Sequence, residues 1–134
     1  VVYTGTHDNE TISGWFLGLS KEDKEFVRDY MGDHETANKW MYKQLVAAAM
    51  RSTANICIIP IQDWLGLDNT ARMNQPGTVG VNWSWRLLPD AATEELAEEI
   101  LAVTKRYNRA NWEALLAKQE KVPEEAKAED PEEA

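Results

Sequence analysis

Two short stretches hold the residues best suited to chemistry. In "YTGTHDNET" (3–11) His7 and Asp8 are adjacent, and in "IPIQDWLGL" (59–67) Gln62 and Asp63 follow an apolar run. A carboxylate beside an imidazole presents acceptors and donors together, a pairing that can hold polar substrate groups. Asn74, in "ARMNQPGTVGVNW" (71–83), adds an amide that can donate and accept. Each residue also has a plainer use. Asp is a common helix N-cap, which would serve for Asp8 and Asp63, and Asn74 beside Pro76 and Gly77 is a turn former. "HETAN" (34–38) half resembles H-E-x-x-H, but Asn38 stands where the second His belongs. Neither metal nor any other cofactor is expected.

The elements that must position these groups are mostly helical. Residues 1–4 are β-branched and aromatic and end at Gly5, as a strand would. Asp8 or Asn9 is placed to cap a helix whose Ile12, Trp15, Phe16 and Leu19 share a face. Ser20 with Asp23 marks a second start, and Gly32 a stop after Phe26, Val27, Tyr30 and Met31. A third helix runs through "ETANKWMYKQLVAAAMRS" (35–52), with Ala37, Trp40, Met41, Leu45, Ala48 and Ala49 as its apolar stripe and Arg51 near its C-terminus. Ile56 to Ile61, holding Cys57, reads as a strand buried on both faces. Residues 62–90 are broken by glycines and prolines into a long loop, the kind that tends to be functional. Another helix follows Thr93, with Leu96, Ile100, Leu101 and Val103 on one side, and Trp112, Leu115 and Leu116 form a last apolar patch. Trp15 and Trp40 are expected in the core, and Trp83 and Trp85 packed under the loop.

Composition narrows the class. The chain has 134 residues, 43% hydrophobic and 28% charged, as in an ordinary globular protein. Its net charge of −9 argues against binding to nucleic acid or anionic membranes. No apolar run approaches the roughly 18–20 residues that span a bilayer, and no signal-peptide layout opens the chain. A single cysteine cannot form an internal disulfide, which suits a reducing, cytosol-like compartment. From Val122 onward "VPEEAKAEDPEEA" carries too little apolar surface to order itself, so 122–134 reads as an acidic disordered tail.

Two strands separated by about fifty residues of helical sequence imply parallel pairing through a crossover. Such strands belong to larger covered sheets, and two cannot close a sheet alone. The chain is therefore expected to be a piece of a larger α/β protein whose neighbouring strands lie upstream. Its exposed strand edges are expected to pair with another copy, giving a homo-oligomer. In parallel α/β folds the functional groups gather where strands end, which is where Asp8 and Asp63 fall.

In order and spacing, "YTGTHDNET", "IPIQDWLGL", "ARMNQPGTVGVNW" and "WRLLP" resemble the C-terminal part of the 4-α-glucanotransferases of glycoside hydrolase family 77, the amylomaltases or disproportionating enzymes. The motifs cover roughly residues 1–90, and 91–116 are compatible with closing helices. The resemblance implies an α/β fold, the C-terminal portion of a (β/α)8 TIM barrel with about its seventh and eighth strands, over residues 1–121. It implies a retaining double-displacement transfer of 1,4-α-glucan segments between maltooligosaccharides or glucose. Asp8 would be the supporting, transition-state-stabilising carboxylate of that family and His7 the sugar-binding His beside it. Asn74, Gln62 and Asp63 would line the same cleft. The family's nucleophile and acid/base belong to earlier strands, so the isolated chain is expected to be inactive. The implied location is cytoplasmic, or plastid in a plant or alga. Two other readings stand beside this one: a non-catalytic α-glucan-binding remnant, which would bind maltooligosaccharide without transfer, and a helical interaction module, which would ignore sugar.

Overall fold

A computed structural model of the chain describes residues 1–119. The acidic tail expected over 122–134 lies outside the described residues, as do 120 and 121. Strands β1 (Val2–Tyr3) and β2 (Cys57–Ile58) pair in parallel, with Val2 opposite Cys57 and Tyr3 opposite Ile58. Between them run helices α1 (Ile12–Gly18), α2 (Lys21–Met31) and α3 (Met41–Met50). After β2 come a single turn α4 (Ile61–Trp64), a long irregular stretch, α5 (Glu94–Arg106) and α6 (Trp112–Gln119). The result is a mostly helical unit with a two-stranded parallel sheet. Among the described residues no helix is long and apolar enough to cross a membrane.

The strand expected over 56–61 pairs only at Cys57 and Ile58. Pro60 has no N–H to give to a ladder, and it serves as the N-cap of α4, which starts at Ile61. The third helix also starts later than its stripe suggests. Asn38–Trp40 form a 3-10 turn, and α3 buries Met41, Tyr42, Val46, Ala49 and Met50. Together with Phe16 of α1 and Ala71 these make the core. Trp15 and Trp40 lie outside it, both exposed, with the Lys39 and Lys43 ammonium groups 5.2 and 5.6 Å from the Trp40 ring centre.

Helix α2 begins and ends where local chemistry requires. Ser20 Oγ accepts from the Asp23 amide at 3.1 Å, and Gly32 closes the helix in the left-handed region at φ 66°. Its packing is inverted, however: Phe26 and Tyr30 are 71% and 83% exposed and Arg28 is buried. The reason lies in the following loop. The Arg28 guanidinium donates to the Asp33 and Thr36 carbonyls and to Asn38 Oδ1, and rests 5.9 Å from the Phe16 ring centre. Several charge-assisted bonds to partly buried acceptors outweigh what this short helix gains by turning two aromatics inward.

Helix α5 starts under a Thr93 cap, with the Leu96 amide donating to Thr93 Oγ1 at 3.2 Å. Its apolar side is only half covered, and none of its residues is buried. It is held to α3 by Lys43 and Glu99, 2.6 Å apart. Arg109, just beyond α5, donates from Nε to the Met50 carbonyl at 2.6 Å and from Nη2 to the Ser52 and Ala54 carbonyls. That guanidinium closes the end of α3 and leads the chain into β2.

The turn after α4 needs a glycine. Gly66 has φ 63°, and a Cβ there would lie 2.4 Å from the Tyr42 ring, whose side chain is part of the core. Gly66→Ala is expected to destabilise the fold by about 1–3 kcal/mol, combining left-handed strain with overpacking. Urea or thermal unfolding of the variant checks this, and an unchanged midpoint would contradict it.

Candidate functional site

Residues 4–12 leave β1, turn back and enter α1. The turn is built locally: Asn9 Oδ1 accepts from the Thr6 amide at 2.7 Å and the Thr6 hydroxyl at 2.8 Å. Neither Asp8 nor Asn9 caps α1. Thr11 does so, accepting from the Gly14 amide at 3.1 Å. The Ile12 amide instead donates to Asp63 Oδ1 at 2.8 Å, from across the fold. Asp8 is thereby left at the tip of the segment with its side chain half exposed.

Its surroundings come from the stretch after α4. Asn74 Nδ2 donates to Asp8 Oδ1 at 2.8 Å, and His7 Nε2 lies 3.3 Å from the same oxygen. Among the described residues no donor reaches Asp8 Oδ2. The backbone is gripped as well: the Asn74 amide donates to the His7 carbonyl at 3.1 Å, and Arg72 Nη2 to the Asp8 carbonyl at 3.1 Å. Trp83 lays its ring 5.0 Å from the His7 ring, tilted by 38°. It does so from an unusual backbone. Trp83 has φ 62°, a left-handed conformation that strains a bulky residue by about 1–3 kcal/mol, and its amide donates to the Met73 carbonyl at 2.6 Å.

The structure therefore brings His7, Asp8 and Asn74 together and keeps Gln62 and Asp63 apart from them. Gln62 is buried and donates to the Ala71 carbonyl at 3.2 Å. Asp63 is 2% exposed, with one oxygen on the Ile12 amide and the other accepting from the Thr4 hydroxyl at 2.5 Å. Both carboxylates stand at strand ends as the sequence indicates, but one faces out and the other in. Trp83, expected beneath the loop, is 53% exposed beside His7. Arg72 and Trp83 are members of the site that residue type alone did not single out. Arg72 lies two residues before Asn74, a spacing that in an extended segment puts both on one side, and this was the available signal. Nothing local announces a left-handed Trp.

Chemically, the arrangement offers an oriented carboxylate with acceptor capacity to spare, an imidazole beside it and an aromatic wall. Such a group suits hydroxyl-rich or cationic partners. Among the described residues no cluster of His, Cys, Asp and Glu has the make-up of a metal site. A cavity of about 810 Å³ runs between β2 and the turn after α5, lined by Met50, Cys57, Trp64 and Arg109 among others, away from Asp8. Burial there pushes the Cys57 thiol up from its ordinary pKa, which keeps it protonated and unreactive near neutral pH.

Residues 1–92 match a family model described as 4-alpha-glucanotransferase. The chain is 42% identical over 109 residues to the 4-alpha-glucanotransferase of a Synechocystis strain, covering 81% of this chain and 21% of that protein. It is 44% identical over 112 residues to the chloroplastic/amyloplastic 4-alpha-glucanotransferase of Solanum tuberosum, covering 81% of this chain and 19% of that protein. An amylomaltase from Streptococcus agalactiae in complex with acarbose superimposes with a TM-score of 0.74 at 36% identity, over 81% of this chain and 22% of that one. The chain spans about a fifth of the length of the curated relatives it matches.

The contact between Trp83 and His7 can be tested directly. The chain has two histidines, and His34 pairs instead with Asp29 at 3.2 Å. Trp83→Leu should move the His7 ring protons downfield in a proton NMR spectrum, as the indole ring current is lost, and leave those of His34 in place. Unmoved His7 signals would contradict the stacking.

Proposed function

We propose, for a chain that belongs to the 4-alpha-glucanotransferase family, that it supplies the supporting carboxylate of a retaining glucan transfer. It would do so as the last strand-helix units of a (β/α)8 barrel completed by other segments of a longer enzyme. The observation that carries this reading is the disposition of Asp8. The carboxylate stands at the end of β1, half exposed, with Oδ1 held by Asn74 and flanked by His7. The family match, the order of the motifs and a structural neighbour solved with acarbose support an α-glucan as the substrate.

The chemistry follows from what such a carboxylate can do. In a retaining transfer one carboxylate attacks the anomeric carbon while a carboxylic acid protonates the departing oxygen, through an oxocarbenium-like transition state. A glycosyl-enzyme forms and is released by the hydroxyl of an acceptor glucan. Asp8 is neither the nucleophile nor the acid/base in this scheme. It accepts hydrogen bonds from hydroxyls of the reacting ring, and its negative charge favours the ring as that becomes cationic. His7 binds a neighbouring sugar hydroxyl, and Asn74 keeps Asp8 from rotating away. The plant relatives are named chloroplastic/amyloplastic, which supports a plastid location if the chain comes from a plant or alga; otherwise the proposed location is cytoplasmic.

Two measurements test the reading. In the full-length enzyme that carries this chain, Asp8→Asn is expected to lower the turnover of maltotriose disproportionation by at least ~10²-fold, the scale of one lost preorganised polar contact. Near-normal turnover would refute the role. The 134-residue chain alone is expected to release no glucose from maltotriose, since the proposed scheme draws its nucleophile and acid/base from other strands of the barrel. Glucose release by the purified chain would overturn that division of the site.

A further inference from the structure

We infer that Asp63 is a positioning residue for Asp8, pinning both ends of the segment that presents it and touching no substrate. The inference rests on the reading of Asp8 given above. A carboxylate just beyond a strand end is, by residue type, a candidate sugar ligand, and the geometry assigns Asp63 a different task. It is 2% exposed, and both oxygens are engaged inward. Oδ2 accepts from the Thr4 hydroxyl at 2.5 Å and Oδ1 from the Ile12 amide at 2.8 Å. Thr4 is the first residue after β1 and Ile12 the first of α1, so one carboxylate closes the loop of residues 5–11 at both ends.

Asp63 can hold the loop because it is itself held. The register pairs Tyr3 with Ile58, which sets the chain beyond β2 alongside Thr4. The Asp63 amide donates to the Pro60 carbonyl at 3.0 Å, and its carbonyl accepts from the Gly66 amide at 3.3 Å. Asn69 reinforces the α1 end, accepting from the Thr11 amide at 3.2 Å and donating to Glu10 at 2.6 Å. With the ends fixed, Asn74 and Arg72 need only hold the tip. A carboxylate that must meet a transition state tolerates little displacement, and misplacement by about 1 Å can cost on the order of 10²-fold in rate.

The test is a coupling measurement in the full-length enzyme, reading kcat and KM for maltotriose disproportionation in Asp63→Ala, Asp63→Asn, Asp8→Asn and the double variant Asp63→Ala/Asp8→Asn. Asp63→Ala is expected to lower kcat by roughly 10- to 100-fold with Asp8 present, and by no more than about twofold when Asp8 is already Asn. Asp63→Asn should keep most of kcat, because an amide can still accept from the Ile12 amide and donate to the Thr4 hydroxyl. An equal fold-loss in both backgrounds would mean a purely structural role and would overturn the inference. So would a raised KM with unchanged kcat, the mark of a sugar ligand, or an Asp63→Asn variant as damaged as Asp63→Ala. Should Asp63→Ala fail to fold, Thr4→Val removes one pin alone and must show the same dependence on Asp8. Turnover untouched by Asp8→Asn by itself would bring down the reading of Asp8 first, and the inference with it.

Discussion

The two hydrogen bonds of the Asp63 carboxylate are the constraint on which the rest of the site depends. They tie the end of the first strand and the start of the first helix to one carboxylate more than fifty residues further along the chain. A buried carboxylate is costly unless its oxygens are satisfied, so the arrangement stands only with both donors in place. Thr4 and Ile12 therefore hold Asp63 as firmly as it holds them. The paired strands supply the register that brings these groups together, and the glycine at position 66 supplies the turn that lets α4 press against Tyr42.

Charge is placed to suit helix ends in spite of a net charge of −9. At the start of α1, where amides are left without helical partners, the acceptors are Asp63, Thr11 and Asn69. At the end of α3, where carbonyls are left over, the donor is Arg109. Arg28 likewise serves the carbonyls of the loop that joins α2 to α3. Each of these groups meets the sign of the helix end or the backbone dipoles it faces. Three interior tasks that apolar packing would perform in a larger domain are here carried by guanidinium or carboxylate groups reaching backbone from a distance.

What the sequence disclosed divides along the same line. Ser20, Gly32 and Thr93 were legible because a cap involves partners within a few residues, whereas the stripes of α1 and α3 were legible only in part: Phe16, Met41 and Ala49 are buried, but Trp15 and Trp40 are exposed and Tyr42, Val46 and Met50 fill the core instead. The inward turn of Arg28 was not, because its acceptors belong to the following loop and its benefit is not periodic. The two strand-end carboxylates show the limit most plainly. Asp8 and Asp63 have the same type and equivalent positions relative to a strand, yet one faces solvent and the other is buried. Which is which depends on how the stretch after β2 folds over α1, a long-range fact that no local pattern encodes. The left-handed backbone of Trp83 is a further case, since a bulky residue is among the last expected there.

The division between the two carboxylates has a chemical logic. An Asp at the mouth of a helix ordinarily becomes its cap, and a capping carboxylate has its acceptor capacity taken up by backbone amides. Here that task falls to Thr11 and Asp63, and Asp8 is released from it. Asp8 keeps one oxygen oriented by Asn74 while, among the described residues, the other meets no donor. A group meant to stabilise a developing cation needs both properties at once: enough fixed contacts to hold its direction, and lone pairs left over for the moment charge appears. In the role proposed for Asp8, full engagement would silence it, and full freedom would let it turn toward water. A carboxylate held on one side only, at the tip of a loop fastened at both ends, meets both requirements with groups that the chain itself supplies.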